Sequence, residues 1–227
     1  MSSEVVSIAI DGPSGAGKSS VARRAAHVLG YVYIDTGALY RSIGYAARCA
    51  GISTKDAAAV EALLPQLSLS LRYIEGEQHV FLGEEDVSQA IRTPEASLAA
   101  SEVSALPAVR DYLLERQRAL AEVSNSILDG RDIGTVVLPQ AQVKIFLTAS
   151  AEERAERRCK ELCAKGFREP YEKVLREIRQ RDAQDSNRPI APLKPAADSF
   201  TLSTTGLALE DAVNAAVTLI QSKLGDV

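Results

Sequence analysis

Residues 12–19 read Gly12-Pro13-Ser14-Gly15-Ala16-Gly17-Lys18-Ser19, with Ser20 following, and fit the pattern G-x-x-x-x-G-K-[ST]. The segment before them, VVSIAI over 5–10, is a short β-branched apolar run that reads as a buried strand. The segment after them carries helical periodicity over 18–29 and stops at Gly30. A second strand is expected over 31–34 and a second helix over 39–50, ended by Gly51. Strand, loop, helix, strand and helix in so short a stretch point to an α/β protein with a parallel sheet.

The loop has a chemical reason for each of its parts. Gly12, Gly15 and Gly17 let the chain wrap tightly, so that backbone N–H groups turn inward as an anion nest. The helix that opens there adds its positive dipole end. Lys18 has the length to reach β- and γ-phosphates, and the Ser19 hydroxyl is suited to Mg²⁺. A loop kept only for a tight turn would not need Lys-Ser at its end. These residues therefore imply binding of a nucleoside triphosphate and leave the fate of its γ-phosphate open. A guanine-specific switch would want Asn/Thr-Lys-x-Asp, whereas Thr54-Lys55-Asp56-Ala57 lacks the final acid. A chain of 227 residues is short for a helicase or mechanical ATPase and suits a small kinase.

Outward from the loop, the second strand leads into Asp35-Thr36-Gly37-Ala38-Leu39-Tyr40-Arg41, and the apolar run at 126–128 leads into Asp129-Gly130-Arg131-Asp132. Ligands of such sheets lie beyond the strand C-termini. Two arginines expected at that edge suggest a second phosphate. Alternation over 67–73 and 79–82, with Gly76 between, predicts an antiparallel hairpin inserted into the α/β frame. Residues 91–120 read as helical, interrupted near Pro94 and Pro107; 143–147 and 200–202 read as strands and 209–224 as a closing helix.

Composition narrows the classes further. With 46% hydrophobic and 25% charged residues the chain is an ordinary globular protein. A net charge of -4 argues against a surface that grips nucleic acid throughout. No apolar run approaches the ~20 residues of a membrane span, and the start, MSSEVVSIAI, lacks a basic signal-peptide region. Cys49, Cys159 and Cys163 read as reduced thiols, and a cytoplasmic protein is expected. Residues 152–194 are locally basic, with eight Arg and four Lys against nine acids.

GPSGAGKSS (12–20), DTGALYR (35–41), LDGRDIGT (128–135), AEERAERRCKEL (151–162) and RDAQDSNRPIAPLKPAAD (181–198) together resemble the bacterial cytidylate kinases, which are nucleoside monophosphate kinases. The resemblance runs over nearly the whole chain. The phosphate loop is shared by a large superfamily; LDGRDIGT with RDxxDxxRxxAPL is far more specific. The resemblance implies a P-loop nucleoside monophosphate kinase fold: a five-stranded parallel sheet with flanking helices, a small antiparallel β insert and a helical lid. One domain over 1–227 is expected, with its core at 1–35, 102–150 and 195–227, a monophosphate-binding region with the insert at 36–101, and a lid with substrate-side segment at 151–194.

The resemblance also implies roles. Transfer of the γ-phosphoryl group of ATP to CMP, and to dCMP, in pyrimidine nucleotide metabolism is expected, with ATP and Mg²⁺ required. Gly12 to Ser20 and Arg157 would hold ATP. Ser19 would hold Mg²⁺, with Asp129 acting on the metal through water. Arg41 and Arg131 would grip the monophosphate with bidentate forks, alongside Thr36. Ser101, Arg110 and Asp132 would read cytosine, Asp132 accepting from the N4 amino group. Arg181 and Asp185 would contact the ribose side, and Arg188 the substrate. Lys18, Arg131, Arg158 and Arg188 would stabilise the transferring group. Of the lid arginines Arg154, Arg157 and Arg158, spacing does not choose which reaches the phosphates.

Read without the resemblance, several of these residues have plainer accounts. Ser101 is a capping or surface serine, Arg110 a surface arginine on a helix, Asp185 and Arg188 members of a charged run, and Asp129 a turn cap. Competing activities are a kinase acting on UMP and CMP together, another small-molecule P-loop kinase, or a non-catalytic ATP-binding regulator. A monomer without nucleic-acid or membrane partners is expected.

Overall fold

Strand β1 (Ser7–Asp11) is apolar on both faces, and Ile8, Ala9 and Ile10 have no exposed surface, so it lies inside a sheet and not at its edge. β6 (Ser126–Gly130) pairs with it in parallel on one side, from Ser7 opposite Ser126 to Asp11 opposite Gly130. β7 (Val143–Thr148) pairs in parallel on the other side and β8 (Phe200–Ser203) continues beyond β7. With β2 (Val32–Asp35) the result is a five-stranded parallel sheet in the order β2-β6-β1-β7-β8. Helices α1 (Lys18–Leu29) and α8 (Leu209–Leu224) contribute Val21, Ala22, Ala25, Val213, Ala216 and Ile220 to the buried cluster around Ile8, Ile10, Ile127, Ile145 and Leu147.

The computed structural model describes residues 5–164 and 166–225 and divides into two units. The first holds the chain through Tyr33 and from Ala121 on, and the second is Ile34–Leu120. The first unit also carries α6 (Ala151–Ala164) and α7 (Tyr171–Asn187), which pack through Ala155, Leu162, Val174, Leu175 and Ile178. Among the described residues no helix is long and apolar enough to cross a membrane.

The second unit is built on α2 (Thr36–Cys49), α4 (Pro94–Val103) and α5 (Pro107–Glu122). Leu39, Ile43, Ala47, Val60, Val103, Val109 and Leu113 form its core. Because α5 supplies Val109 and Leu113, this unit extends to Leu120 and past the boundary at 101 read for the monophosphate-binding region. Gly44 lets α2 and α4 approach: a Cβ there would stand 2.7 Å from Ala99 Cβ.

The hairpin appears as β3 (Leu69–Ile74) and β4 (Glu77–Leu82), turning through Glu75 and Gly76, both at positive φ. A third, two-residue strand, β5 (Glu85–Asp86), adds to β4. α2 begins three residues before the expected start, because Asp35 caps it by accepting from Ala38 N at 3.0 Å. Pro94 and Pro107 begin helices instead of interrupting one, as suits a residue with fixed φ and no N–H. α3 (Ala57–Leu63) answers to no expected element.

Candidate active site

Asp11, Gly130 and Phe146 stand in register on three neighbouring strands, and the phosphate loop and the Arg131 segment leave from the C-terminal ends of β1 and β6. The phosphate loop leaves β1. Gly12 adopts φ +148°, and a Cβ at that position would lie 1.9 Å from the carbonyl oxygen of Leu147, so only glycine fits. Gly15 and Gly17 also take positive φ, at 76° and 91°, which closes the loop onto the first turn of α1.

Lys18 is buried and donates to the Pro13 carbonyl at 2.8 Å, folding back across its own loop. Burial pushes its ammonium well below the ordinary value. The nearby Arg131 charge adds to this, and the Asp129 carboxylate opposes it. A site that strains its own cation in this way favours an anion that would relieve it. The Ser19 hydroxyl donates to Asp129 Oδ2 at 2.7 Å, and the Tyr33 hydroxyl to Asp129 Oδ1 at 3.1 Å. Asp129 is thus a buried carboxylate bound to the loop serine and does more than cap a turn.

Among the described residues no three His, Cys, Asp or Glu side chains gather as a metal cage. One hydroxyl and one carboxylate of hard oxygen character fit Mg²⁺, which keeps waters and shares substrate phosphates.

Past β6 the chain delivers Arg131 and Asp132. Arg131 Nε donates to Asp185 Oδ2 at 2.9 Å, and Arg188 Nη2 donates to Asp132 Oδ1 at 3.4 Å. Arg188 Nε also donates to the Ala191 carbonyl at 2.5 Å, and Ala191 takes a left-handed φ of 48°. Burial alone would raise the Asp185 carboxyl, but Arg131, Arg181 and Arg188 together hold it below the usual carboxylate range. The first unit therefore brings together Lys18, Ser19, Asp129, Arg131, Asp132, Arg181, Asp185 and Arg188 through hydrogen bonds or mutual electrostatic fields.

The lid arginines separate. Arg154 is 4% exposed and binds Asp182 through both ends of its fork, at 2.9 and 2.6 Å; it also donates to Ser14 O at 3.0 Å. Arg157 donates to Thr204 Oγ1 at 3.1 Å and Thr204 O at 2.8 Å, reaches Ala16 O at 3.5 Å, and pairs with Glu153. Arg158 pairs with Glu161 on its own helix at 3.3 Å.

In the second unit, Thr36 is buried at the start of α2, one residue past the cap Asp35. Asp35 Oδ2 accepts from Arg41 Nη2 at 2.7 Å. Arg110 is buried, donates to Ser104 O at 3.3 Å and lies over the Tyr40 ring at 5.8 Å, so it is no surface arginine. Ser101 is half-buried on α4, and its carbonyl accepts from Ser104 Oγ at 3.0 Å.

Sequence reasoning passed over Asp11, Tyr33, Asp182 and Thr204. Asp11 accepts Ile133 N and Gly134 N, each at 2.8 Å. Thr204 Oγ1 donates to Ala16 O at 3.0 Å. A carboxylate immediately before the loop glycine was the one visible signal, and partners on other elements, 28 to 188 residues away, gave no other.

Comparison with known proteins identifies the family. The family model described as "Cytidylate kinase" matches residues 8–222. A cytidylate kinase of Carboxydothermus hydrogenoformans is 48% identical over 216 residues, covering 95% of this chain and 97% of that protein. One of Ligilactobacillus salivarius is 49% identical over 216 residues, covering 95% and 96%. The crystal structure of an uncharacterized protein from Eubacterium ventriosum superposes with a TM-score of 0.54 at 13% identity, over 96% of this chain and 99% of that one, and bears on the fold alone. A family match that spans the phosphate loop, the Asp129–Asp132 segment and the Arg188 loop alike means that the chain belongs to the cytidylate kinase family.

Proposed function

We propose that this chain transfers the γ-phosphoryl group of ATP to CMP, and to dCMP, yielding ADP and the corresponding diphosphate. The observation that carries the reading is the short segment after β6. Asp129 is bonded to the phosphate-loop serine, Arg131 is paired with Asp185, and Asp132 is paired with Arg188. One stretch of backbone thus joins a metal-side carboxylate, a phosphate fork and a base-reading acid.

The acceptor is a phosphate oxygen already ionised at neutral pH, so the reaction needs no general base. Catalysis is positioning and charge stabilisation. The loop amides and Lys18 hold the donor phosphates. Ser19 and Asp129 would hold Mg²⁺, which when bound neutralises charge on the β- and γ-phosphate oxygens. Arg131 and Arg188 orient the acceptor and spread the charge of the moving group, with Arg158 added from α6. Arg157 fixes the donor side through Ala16 and Thr204. In the second unit Thr36 and Arg41 serve the acceptor phosphate, and Ser101 and Arg110 the base.

Asp132 accepts from the cytosine N4 amino group. Uracil would set a carbonyl oxygen against that carboxylate and leave buried groups unsatisfied, a cost of about 1–3 kcal/mol. Arg181 and Asp185 serve the sugar side. The arginine set supports a kinase over a nucleotide-sensing regulator, and nothing in the family match favours a joint UMP and CMP acceptor. Anion-exchange separation of a mixture of the chain, Mg-ATP and CMP tests the reading. CDP and ADP appearing in equal amounts supports it. ADP without CDP would mean hydrolysis only, and the assigned transfer would be wrong.

A further inference from the structure

Asp132 occupies the residue before a single wide helical turn, Ile133–Val137. The turn is closed by bonds spanning five residues, Val137 N to Asp132 O at 3.2 Å and Leu138 N to Ile133 O at 2.7 Å. An aspartate in that position ordinarily folds its side chain back onto the first N–H groups of the turn. Here it makes no such bond. The Ile133 and Gly134 N–H groups instead point at Asp11, whose two carboxylate oxygens accept one each at 2.8 Å. Asp11 is 5% exposed and sits at the end of β1, one residue before the phosphate loop.

We infer that Asp11 is a positioning residue for base selection: by capping the Ile133–Val137 turn from a neighbouring strand, it spares the Asp132 carboxylate that task and turns it to the nucleobase. The inference rests on the reading of Asp132 as the cytosine acceptor. The physical logic is a competition for the Gly134 N–H, the second of the turn, which a capping aspartate ordinarily takes. A carboxylate fixed in the sheet holds it, together with the Ile133 N–H, and Asp132 makes no capping bond. Remove Asp11's second acceptor and the nearest replacement is Asp132 itself, which would then swing away from the base and from Arg188. Asp11 reaches only backbone, so it touches no substrate. Its charge also acts on Lys18, so the readout is the ratio between two acceptors, in which an effect on the shared donor cancels.

The test is steady-state kinetics with CMP and UMP as acceptors for the unmodified chain, D11N, D132N and the D11N/D132N pair. The ratio of kcat/KM for CMP to that for UMP is independent of the fraction of folded protein, so a merely structural role would leave it unchanged. The expected result is a ratio at least tenfold lower in D11N and a double variant no less selective than D132N alone, as selectivity acting through Asp132 requires. Should D11N fold poorly, D11S serves in its place, since one short hydroxyl replaces the two oxygens that accept Ile133 N and Gly134 N; the same loss of ratio is expected. An unchanged ratio in D11N or in D11S, with D132N losing selectivity, overturns the role of Asp11 and leaves the reading of Asp132 standing. An unchanged ratio in D132N overturns both.

Discussion

Lys18 and Arg131 do different work at the residue scale, and substitution should separate them. Lys18→Ala removes the buried charge proposed to meet the donor phosphates, so kcat should fall by about 10²–10³ with the fold retained. Stopped-time assays with circular dichroism check this; near-normal turnover would remove Lys18 from the mechanism. Arg131→Ala removes a charge-assisted fork, worth about 1.5–3 kcal/mol. CMP binding should weaken by roughly that amount, while calorimetric titration of ATP changes far less. Two carboxylates should also respond oppositely to acid. Asp185 is held below its ordinary range, so its contribution is complete above about pH 4 and fades as pH falls through its lower folded value. Burial, more than the two amides offset, pushes Asp11 up from 3.8 to about 6, with the Asp132 charge adding to it. Between those values the folded chain binds more protons than the unfolded one, so the Asp11 contribution declines as pH rises from about 4 to 6. Urea unfolding of the unmodified chain, D185N and D11N from pH 3 to 7 reads both slopes; D11N should lack the second.

Elements carry the constraints that residues alone do not show. Gly12→Ala would press a Cβ into the Leu147 carbonyl of β7, so it should cost more than about 3 kcal/mol and prevent cooperative folding, readable by calorimetry. Asp182→Asn breaks the fork that ties α7 to Arg154 and so to the Ser14 carbonyl. Its expected cost is about 1–2 kcal/mol, a drop in Tm of roughly 2–8 °C, with KM for ATP raised more than KM for CMP. An unaltered Tm would show that the pair contributes nothing. The elements themselves were unequally legible in the sequence. β1, α1 and α8 were plain because apolar periodicity and glycine stops coincide there. α3 was missed because AAAVEAL offers alanine, whose weak hydrophobicity leaves almost no period. β5 was missed because Glu85 and Asp86 carry no strand signal and pair only because β4 offers an edge. The start of α2 was misplaced because its apolar run becomes visible only at Leu39, three residues after the helix capped by Asp35 begins.

At the scale of the whole molecule, motif residues were readable and their supports were not. Glycine spacing announces a phosphate loop because the chemistry is local. The links Asp11 to Ile133, Arg154 to Asp182 and Thr204 to Ala16 depend on which strands neighbour which, information that no local window holds. Without the family resemblance Arg110 likewise read as a surface arginine, whereas the packing of the second unit buries it. What unites the two sets of residues is a single proposed reaction, and its acceptor profile is the most direct test. Coupled ADP release should be measured with Mg-ATP against CMP, dCMP, UMP, AMP and GMP, beside a control without acceptor. Fast release with CMP and dCMP alone, and a control near zero, is the predicted result. Equal rates with UMP would contradict the base-reading set, and release independent of any acceptor would contradict the kinase assignment itself.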